Sequence, residues 1–269
     1  MRFDSAQLEQ WAAFSGDRNP IHFDLAAARR LGVSRVVVHG MLPILHAQAQ
    51  AGGPSGEGWQ VWRTRLKHPM LEGREALLES SAGQRFSLSD EASGEKLFHG
   101  RLEQVSAGES LAEPESAGAG IILLQDLSFD AATLAARVAE LGEGLPAIAS
   151  PGWVALSAIT FSGFLRQGLP LLREAAAGRS GIAGDILAVQ TTHAVKFNPA
   201  LLAAPAGLPA CRLVFSPVAT WPIDGGISGT AHVRVLRHAQ QVLPEDDLLL
   251  ELSIGLMMRA AGTIKAESI

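Results

Sequence analysis

The sequence predicts an α+β protein in which two antiparallel sheets each curl around a long central helix. Three observations predict it. Helical patterns open the chain and give way to a run of strand patterns ending near Val105. After a segment rich in Ser, Gly, Ala and Glu, helical and strand patterns recur. Landmarks correspond between the halves: Pro151-Gly152-Trp153 stands where His39-Gly40-Met41 stood, and Phe197-Asn198-Pro199 where Lys67-His68-Pro69 stood. Identity between the halves is low, so this is a repeat of architecture, and helices with antiparallel strands form one α+β layer per half.

In the first half, Asp4 and Gln7 suit a capping-box variant ahead of Leu8, Trp11 and Ala12, which share one helical face. Asp24 caps a short helix over Leu25 to Leu31, Arg29 and Arg30 suit its last turn, and Gly32 stops it. A third helix runs from Gly40 to about Gln50. Pro43 fits only its first turn, where a missing N–H costs nothing. Strands are expected near 60–66, 76–81, 84–89 and 96–105, separated by Glu72-Gly73, Gly83 and Ser93-Gly94.

Residues 106–120, SAGESLAEPESAGAG, show no apolar period and read as a solvated linker. The expected organisation is therefore a first domain over 1–106, a linker over 107–120 and a second domain over 121–269. In the second half, Ile121–Leu127 reads as a strand and Thr133–Leu141 as a helix. A long apolar helix follows to about Leu172, and then strands around 187–197, 212–219, 229–236 and 248–257. This half spends more residues between the shared landmarks. The extra stretch, Leu165 to Gly184, either widens a channel or lies on the surface.

Composition narrows the function classes. The 269 residues are 47% hydrophobic and carry a net charge of −5 with interspersed signs. That disfavours nucleic-acid binding, which needs a concentrated basic footprint. Cys211 is the only cysteine, so no internal disulfide or thiolate metal cage can form. No signal-peptide core or membrane-spanning apolar run is found, and a soluble cytoplasmic protein is expected. Neither a Gly-x-Ser-x-Gly elbow nor a dinucleotide fingerprint between strand and helix occurs.

The most informative stretch is Phe14-Ser15-Gly16-Asp17-Arg18-Asn19-Pro20-Ile21-His22, followed by Val38-His39-Gly40-Met41-Leu42. It sets an acid and an imidazole five residues apart in a turn stiffened by glycine and proline, ahead of a helix that opens on glycine. An acid, a base and free backbone N–H groups are what adding or removing water beside a carbonyl requires. Taken alone, an Asp-x-Asn-Pro stretch is as readily an ordinary Asx turn. Asp17, His22 and His39 can also be imagined around a metal, but their spacing matches no common zinc pattern, and no metal is expected.

These residues resemble the MaoC-like, or hydratase 2, group of (R)-specific enoyl thioester hydratases. The spacing Gly16-Asp17-x-Asn19-Pro20-x-His22 is kept in full, and His68-Pro69-Met70-Leu71-Glu72-Gly73 is similar to the family's strand-turn-strand segment. The second half resembles the hot-dog fold in layout only and has no counterpart of the motif. The resemblance implies a double hot-dog protein, with one active site per chain, that hydrates trans-2-enoyl thioesters or dehydrates (R)-3-hydroxyacyl thioesters in fatty acid metabolism. Asp17 and His22 would handle the water and proton, and the Gly40 N–H would hold the thioester oxygen. Asn19, His39 and Met41 would border the substrate. No cofactor is implied; CoA or the phosphopantetheine of acyl carrier protein carries the substrate. Either a monomeric pseudo-dimer or a homodimer fits.

One departure stands out: where the family often has a small polar residue after His-Gly-Met, this chain has Pro43-Ile44-Leu45. The apolar Leu45 position signals an altered or weakened activity and, with the unusual second half, keeps open a non-catalytic acyl-thioester binding protein. A hot-dog thioesterase, using an acid near a helix start to activate water against the thioester carbonyl, is a separate alternative that the retained motif disfavours. His46 is expected to be structural, and His68, His99, His193, His232 and His238 to be ordinary.

Overall fold

The computed structural model describes residues 1–50, 58–81, 84–111, 120–149, 152–180, 186–202, 207–224, 226–238 and 247–260. Helix α1 (Ser5–Ser15) carries the full capping box. Asp4 accepts from the Gln7 N–H, and the Gln7 side chain accepts from the Asp4 N–H. An N-cap of this kind contributes about 1 kcal/mol. Leu8, Trp11 and Ala12 are buried on one face as the spacing requires. Helix α2 (Leu25–Arg30) starts at its Asp24 cap, and Gly32 follows it with φ 81°. Helix α3 (Met41–Gln50) starts one residue after Gly40, with Pro43 in its first turn.

Strands β1 (Trp59–Leu66), β2 (Ala76–Ser80), β3 (Arg85–Asp90) and β4 (Lys96–Val105) match the expected four. In the second half the strand expected over 121–127 is two short ones, β5 (Gly120–Ile122) and β6 (Leu127–Phe129). They pair with different strands, Val218–Ile223 and Cys211–Phe215 respectively, so continuity is broken between them. Helix α4 (Ala131–Gly144) is capped by Asp130. The long helix α5 (Gly152–Ser180) passes Pro170 and extends beyond Leu172. Strand β7 (Ile186–Phe197) follows. The expected 212–219 strand divides into β8 (Cys211–Phe215) and β9 (Val218–Ile223), and the half closes with β10 (Gly226–Arg237) and β11 (Leu248–Ala260).

The strands form one sheet ordered β2-β3-β4-β1-β7-β11-β10-β8-β6, with β9 on β10 and β5 on β9. The halves join edge to edge where β1 pairs antiparallel with β7, Gln60 opposite Phe197 through Arg65 opposite Thr192. Joining this way pairs an edge strand of each half with the other, satisfying hydrogen-bonding groups that would otherwise be open. Trp153 at the start of α5 stacks on Phe197 at 3.9 Å and lies near Trp62 of β1, so the core is continuous across the seam. No described helix is long and apolar enough to cross a membrane.

The reading of 106–120 as a solvated linker needs correction for its first part; residues 112–119 lie outside the described residues. The Lys196 ammonium, 1% exposed, donates to the carbonyls of Ala107 and Glu109. The carboxylate of Glu251, 4% exposed, accepts from Ser110 Oγ at 3.1 Å and the Leu111 N–H at 3.2 Å. Leu111 is itself buried. A composition rule misses this because the driving partner is elsewhere: a buried ammonium and carboxylate require polar partners, and this backbone supplies them. His232 joins at 3.5 Å from Glu251, so it too differs from the ordinary strand histidine expected.

Candidate active site

The conspicuous turn is built by its own sequence. Helix α1 stops at Gly16, whose φ of 82° lies in the left-handed region. A side chain there would be strained and would also meet Arg166 Cγ at 2.9 Å. Ser15 Oγ accepts from the Asp17 N–H at 3.1 Å, and Asp17 Oδ1 accepts from the Asn19 N–H at 3.2 Å. Pro20 then opens a single 3₁₀ turn ending at His22. One carboxylate oxygen of Asp17 is thus spent on the turn, and the other, Oδ2, faces His22 Nε2 at 3.7 Å.

His22 is 6% exposed, and its Nδ1 lies 2.7 Å from the Val37 carbonyl. Because a carbonyl only accepts, Nδ1 carries the proton and the neutral ring presents an unprotonated Nε2 towards Asp17. Burial lowers the pKa of His22 from its ordinary 6.5, against the opposing pull of Asp17 and Val37, and the Arg173 charge lowers it further. Two acceptors therefore face each other across a gap that a water can bridge. His39 stacks on His22 at 3.7 Å and 25°, and its Nε2–H donates to the Asp17 carbonyl at 3.1 Å. Burial, followed by the neighbouring His22, lowers the pKa of His39 well below 6.5. His39 is thus a neutral brace for the Asp17 backbone.

Donor atoms of Asp17, His22 and His39 lie within 4.8 Å of one another, a separation a metal ion can bridge. The stacking opposes it. Imidazole lone pairs lie in the ring plane, so rings stacked at 3.7 Å and 25° hold them in two nearly parallel planes, and no single ion lies in both planes close to the donor nitrogens.

The companion half holds the turn from behind. Arg166 of α5 donates through Nη2 to the carbonyls of Ala13 and Phe14 at 3.1 and 2.9 Å, and Ser162 Oγ donates to the Phe14 carbonyl at 3.0 Å. Arg137 of α4 adds a 2.8 Å bond to the Phe14 carbonyl, with its guanidinium over the Phe14 ring. Cations at the last turn of α1 satisfy its terminal carbonyls and oppose its dipole. Asn19 Nδ2 donates to the Ala188 carbonyl of β7 at 2.8 Å. Asn19 is therefore tied to the second half through its NH2, while its Oδ1 is buried with no partner among the described residues.

Asp17, His22, Asn19, His39, Gly40 and Met41 all border a cavity of about 80 Å³. One water needs roughly 10–15 Å³ by the same kind of measure, so the space holds water and part of a substrate. Phe161, Leu165 and Leu169 of α5 and Leu256 of β11 form apolar wall from the other half. The first part of the extra segment 165–184 is therefore cavity wall; residues 181–184 lie outside the described residues. Of the apolar stretch after Met41, only Pro43 lines the cavity, while Ile44 and Leu45 are fully buried in the core.

The remaining histidines divide. His46 packs edge-on against Phe3 at 5.0 Å, a structural setting as expected. His68 was expected to be ordinary but lines the cavity. His193, also expected to be ordinary, is fully buried on the inner face of β7, with neither ring nitrogen partnered among the described residues; desolvation pulls its pKa down to about 3. Strand periodicity assigns a residue to a face but not the polarity of what it meets there.

Arg137, Ser162, Arg166 and Gln190, a further cavity residue, are absent from the expectations drawn on sequence. One signal was available: Arg166 is the only charge between Gly152 and Leu172, and a lone charge in an apolar helix needs a partner.

The family model described as "MaoC like domain" matches residues 1–51, the stretch holding α1, the turn and α3. No curated protein matches the chain. Among solved structures, a MaoC-like dehydratase aligns over 97% of this chain and 95% of its own, at 12% identity and a TM-score of 0.51. A Mycobacterium tuberculosis protein described as having a double hot-dog fold aligns over 96% and 93%, at 10% identity and a TM-score of 0.58. A protein from Chloroflexus aurantiacus J-10-fl, assigned as a MaoC domain dehydratase, aligns over 96% and 93%, at 10% identity and a TM-score of 0.51.

Proposed function

We propose that this chain, a double hot-dog protein that is MaoC-like over residues 1–51, is a hydro-lyase acting on acyl thioesters. It adds water to a trans-2-enoyl thioester to give the (R)-3-hydroxyacyl thioester, or runs the reverse dehydration. The observation that carries this reading is the pair of facing acceptors, Asp17 Oδ2 and His22 Nε2, 3.7 Å apart on the wall of a largely apolar cavity. The (R) stereochemistry and the CoA or acyl-carrier-protein thioester rest on the resemblance of the motif.

In the hydration direction, water donates hydrogen bonds to Asp17 and His22 and attacks C3 of the enoyl group. One O–H bond breaks and its proton passes to the pair, a C3–O bond forms, and the electron pair moves towards the thioester oxygen. The same pair returns a proton to C2 on the same face, giving a syn addition with no net change in the protein. The lowered pKa of His22 keeps its imidazole neutral near pH 7, ready to accept. The Gly40 N–H, one residue ahead of α3, meets the charge developing on the thioester oxygen. No cofactor takes part. Each chain has one such site, and the second half contributes wall and support, so the protein acts as a pseudo-dimer.

The test is loss of ultraviolet absorbance from conjugated enoyl-CoA substrates of increasing chain length. Turnover by the natural chain that Asp17→Asn abolishes, with thioester binding retained, supports the reading. Steady thiol release from saturated acyl-CoA would make the protein a thioesterase instead. Binding without turnover of either substrate would make it a non-catalytic thioester-binding protein.

A further inference from the structure

We propose that Gln190, on strand β7 of the companion half, is a second donor to the thioester oxygen, acting opposite the Gly40 N–H. The inference deepens the hydro-lyase reading and rests on it for the identity of the bound carbonyl.

The first observation is placement. Gln190 borders the same cavity as Asp17, His22 and Gly40. Its side-chain amide lies directly beside Gly40: a Cβ built on that glycine would stand 3.2 Å from Gln190 Oε1 and 3.8 Å from its Cβ. Whatever approaches Gly40 from the cavity therefore meets the Gln190 amide as well.

The second observation is how Gln190 comes to face the cavity. His193 points inward, packing edge-on at 6.4 Å against Phe161 of α5, opposite Ile254 in the ladder. Strict alternation would then turn residue 191 inward and Gln190 outward. Instead the β7–β11 register shifts: Thr192 pairs with Gly255 and Gln190 with Leu256, so Thr191 is an extra residue. The bulge reverses the alternation and puts Gln190 on the face of Leu256, which lines the cavity. Gly255 permits it, since a Cβ there would stand 2.2 Å from Thr192 Oγ1 and 2.9 Å from Thr191 Oγ1. Bulges re-aim side chains in this way beside active sites.

The third observation is an amide with hydrogen-bonding capacity to spare. Among the described residues, the partner of Gln190 Nε2 is Met41 Sδ at 3.8 Å, and a thioether is a weak acceptor. A rotation about the last side-chain torsion turns the NH2 towards Gly40. An amide N–H and a backbone N–H converging on one oxygen form a two-donor oxyanion site, and both strengthen as charge moves onto that oxygen. Strand β7 then serves the site twice, since its Ala188 carbonyl also anchors Asn19.

Gln190→Met keeps the length of the side chain and removes the donor. It is expected to lower kcat on crotonyl-CoA about 10- to 100-fold, with KM changed less than about threefold, because the contact strengthens in the transition state. A raised KM with unchanged kcat would overturn the assignment, as would no change in either. A second readout is independent of turnover: the infrared carbonyl stretch of [1-¹³C]crotonyl-CoA bound to Asp17→Asn. The band is expected to move to lower wavenumber on binding and to recover part of that shift in Asp17→Asn with Gln190→Met. Equal frequencies in the two proteins, or no shift in the first, would refute the role of Gln190. If the natural chain hydrates no enoyl thioester, the hydro-lyase reading fails in the kinetic assay, and the carbonyl band still decides whether Gln190 polarises the bound group.

Discussion

Replacing Gly40 with alanine separates the chemistry of the site from the stability of the fold. Gly40 does not adopt a left-handed φ, so alanine brings no backbone strain. Its methyl group would stand 2.9 Å from Leu66 Cδ2 and 3.2 Å from Gln190 Oε1, and both neighbours are ends of flexible side chains bordering the cavity. Relieving contacts of that size costs about 1 kcal/mol, the lower end of small overpacking penalties. For a chain of this length that corresponds to a Tm lower by roughly 2–4 °C. The effect on turnover should be far larger. The methyl group occupies the space between the Gly40 backbone and the Gln190 amide where the thioester oxygen would bind, and a displacement of the reacting group by roughly 1 Å can cost 10²-fold. Gly40→Ala should therefore lower kcat/KM for enoyl-CoA hydration by about 10²-fold while shifting the melting temperature by only a few degrees. Activity within about threefold of the natural chain would show that the thioester does not approach Gly40. A melting temperature lower by more than about 10 °C would show instead that the glycine serves the fold.

Four further outcomes are expected. The acid limb of kcat/KM should have its inflection below pH 6.5, since burial holds His22 below its ordinary value and the proposed mechanism needs the neutral ring; a pH–rate profile with the inflection at or above 6.5 contradicts this. His193 has a folded-state pKa of about 3, below its ordinary 6.5, so the stability tied to its neutral form is complete above pH 6.5 and is lost as pH falls from 6.5 towards 3. By pH 5 the loss is about 2 kcal/mol, and urea unfolding at pH 8 and pH 5 should show a gap narrower by about that amount in His193→Leu. Glu251→Ala removes the carboxylate that faces Lys196 and holds Ser110 and Leu111. It should cost about 3 kcal/mol and speed proteolytic cleavage within 106–111; an unchanged cleavage rate would mean that segment is held by other contacts. Arg166→Met withdraws two bonds from the end of α1, and is expected to lower kcat by about tenfold with KM little changed, the mark of a looser turn at Asp17.

What the sequence disclosed and what it withheld follow the range of the interactions. The cap at Asp4, the stop at Gly16 and the Asx turn at Asp17 are closed within a few residues, and each reads directly from residue type and spacing. The long helix of the second half was legible from its apolar run as far as Leu172. The proximity of Asp17 to His22 was legible because the motif that resembles the family holds both in one turn. The support of that turn was legible only as the lone charge of Arg166 in an apolar helix: its targets, like those of Arg137 and Ser162, are distant backbone carbonyls, which leave no trace in residue identity. Gln190 was hidden for a different reason. Alternation from His193 assigns it to the outer face, and only the unpaired Thr191, allowed by a glycine on the neighbouring strand, reverses the assignment. The strap at 106–111 was misread because composition prices a segment by its own burial, whereas this one is fixed by a charged pair on the strands beneath it. At the turn and at Gln190, residues of the second half support a site that the first half begins, so the absence of the motif there does not make that half dispensable. A half with no motif of its own still holds the end of α1, anchors Asn19 and presents Gln190 to the cavity.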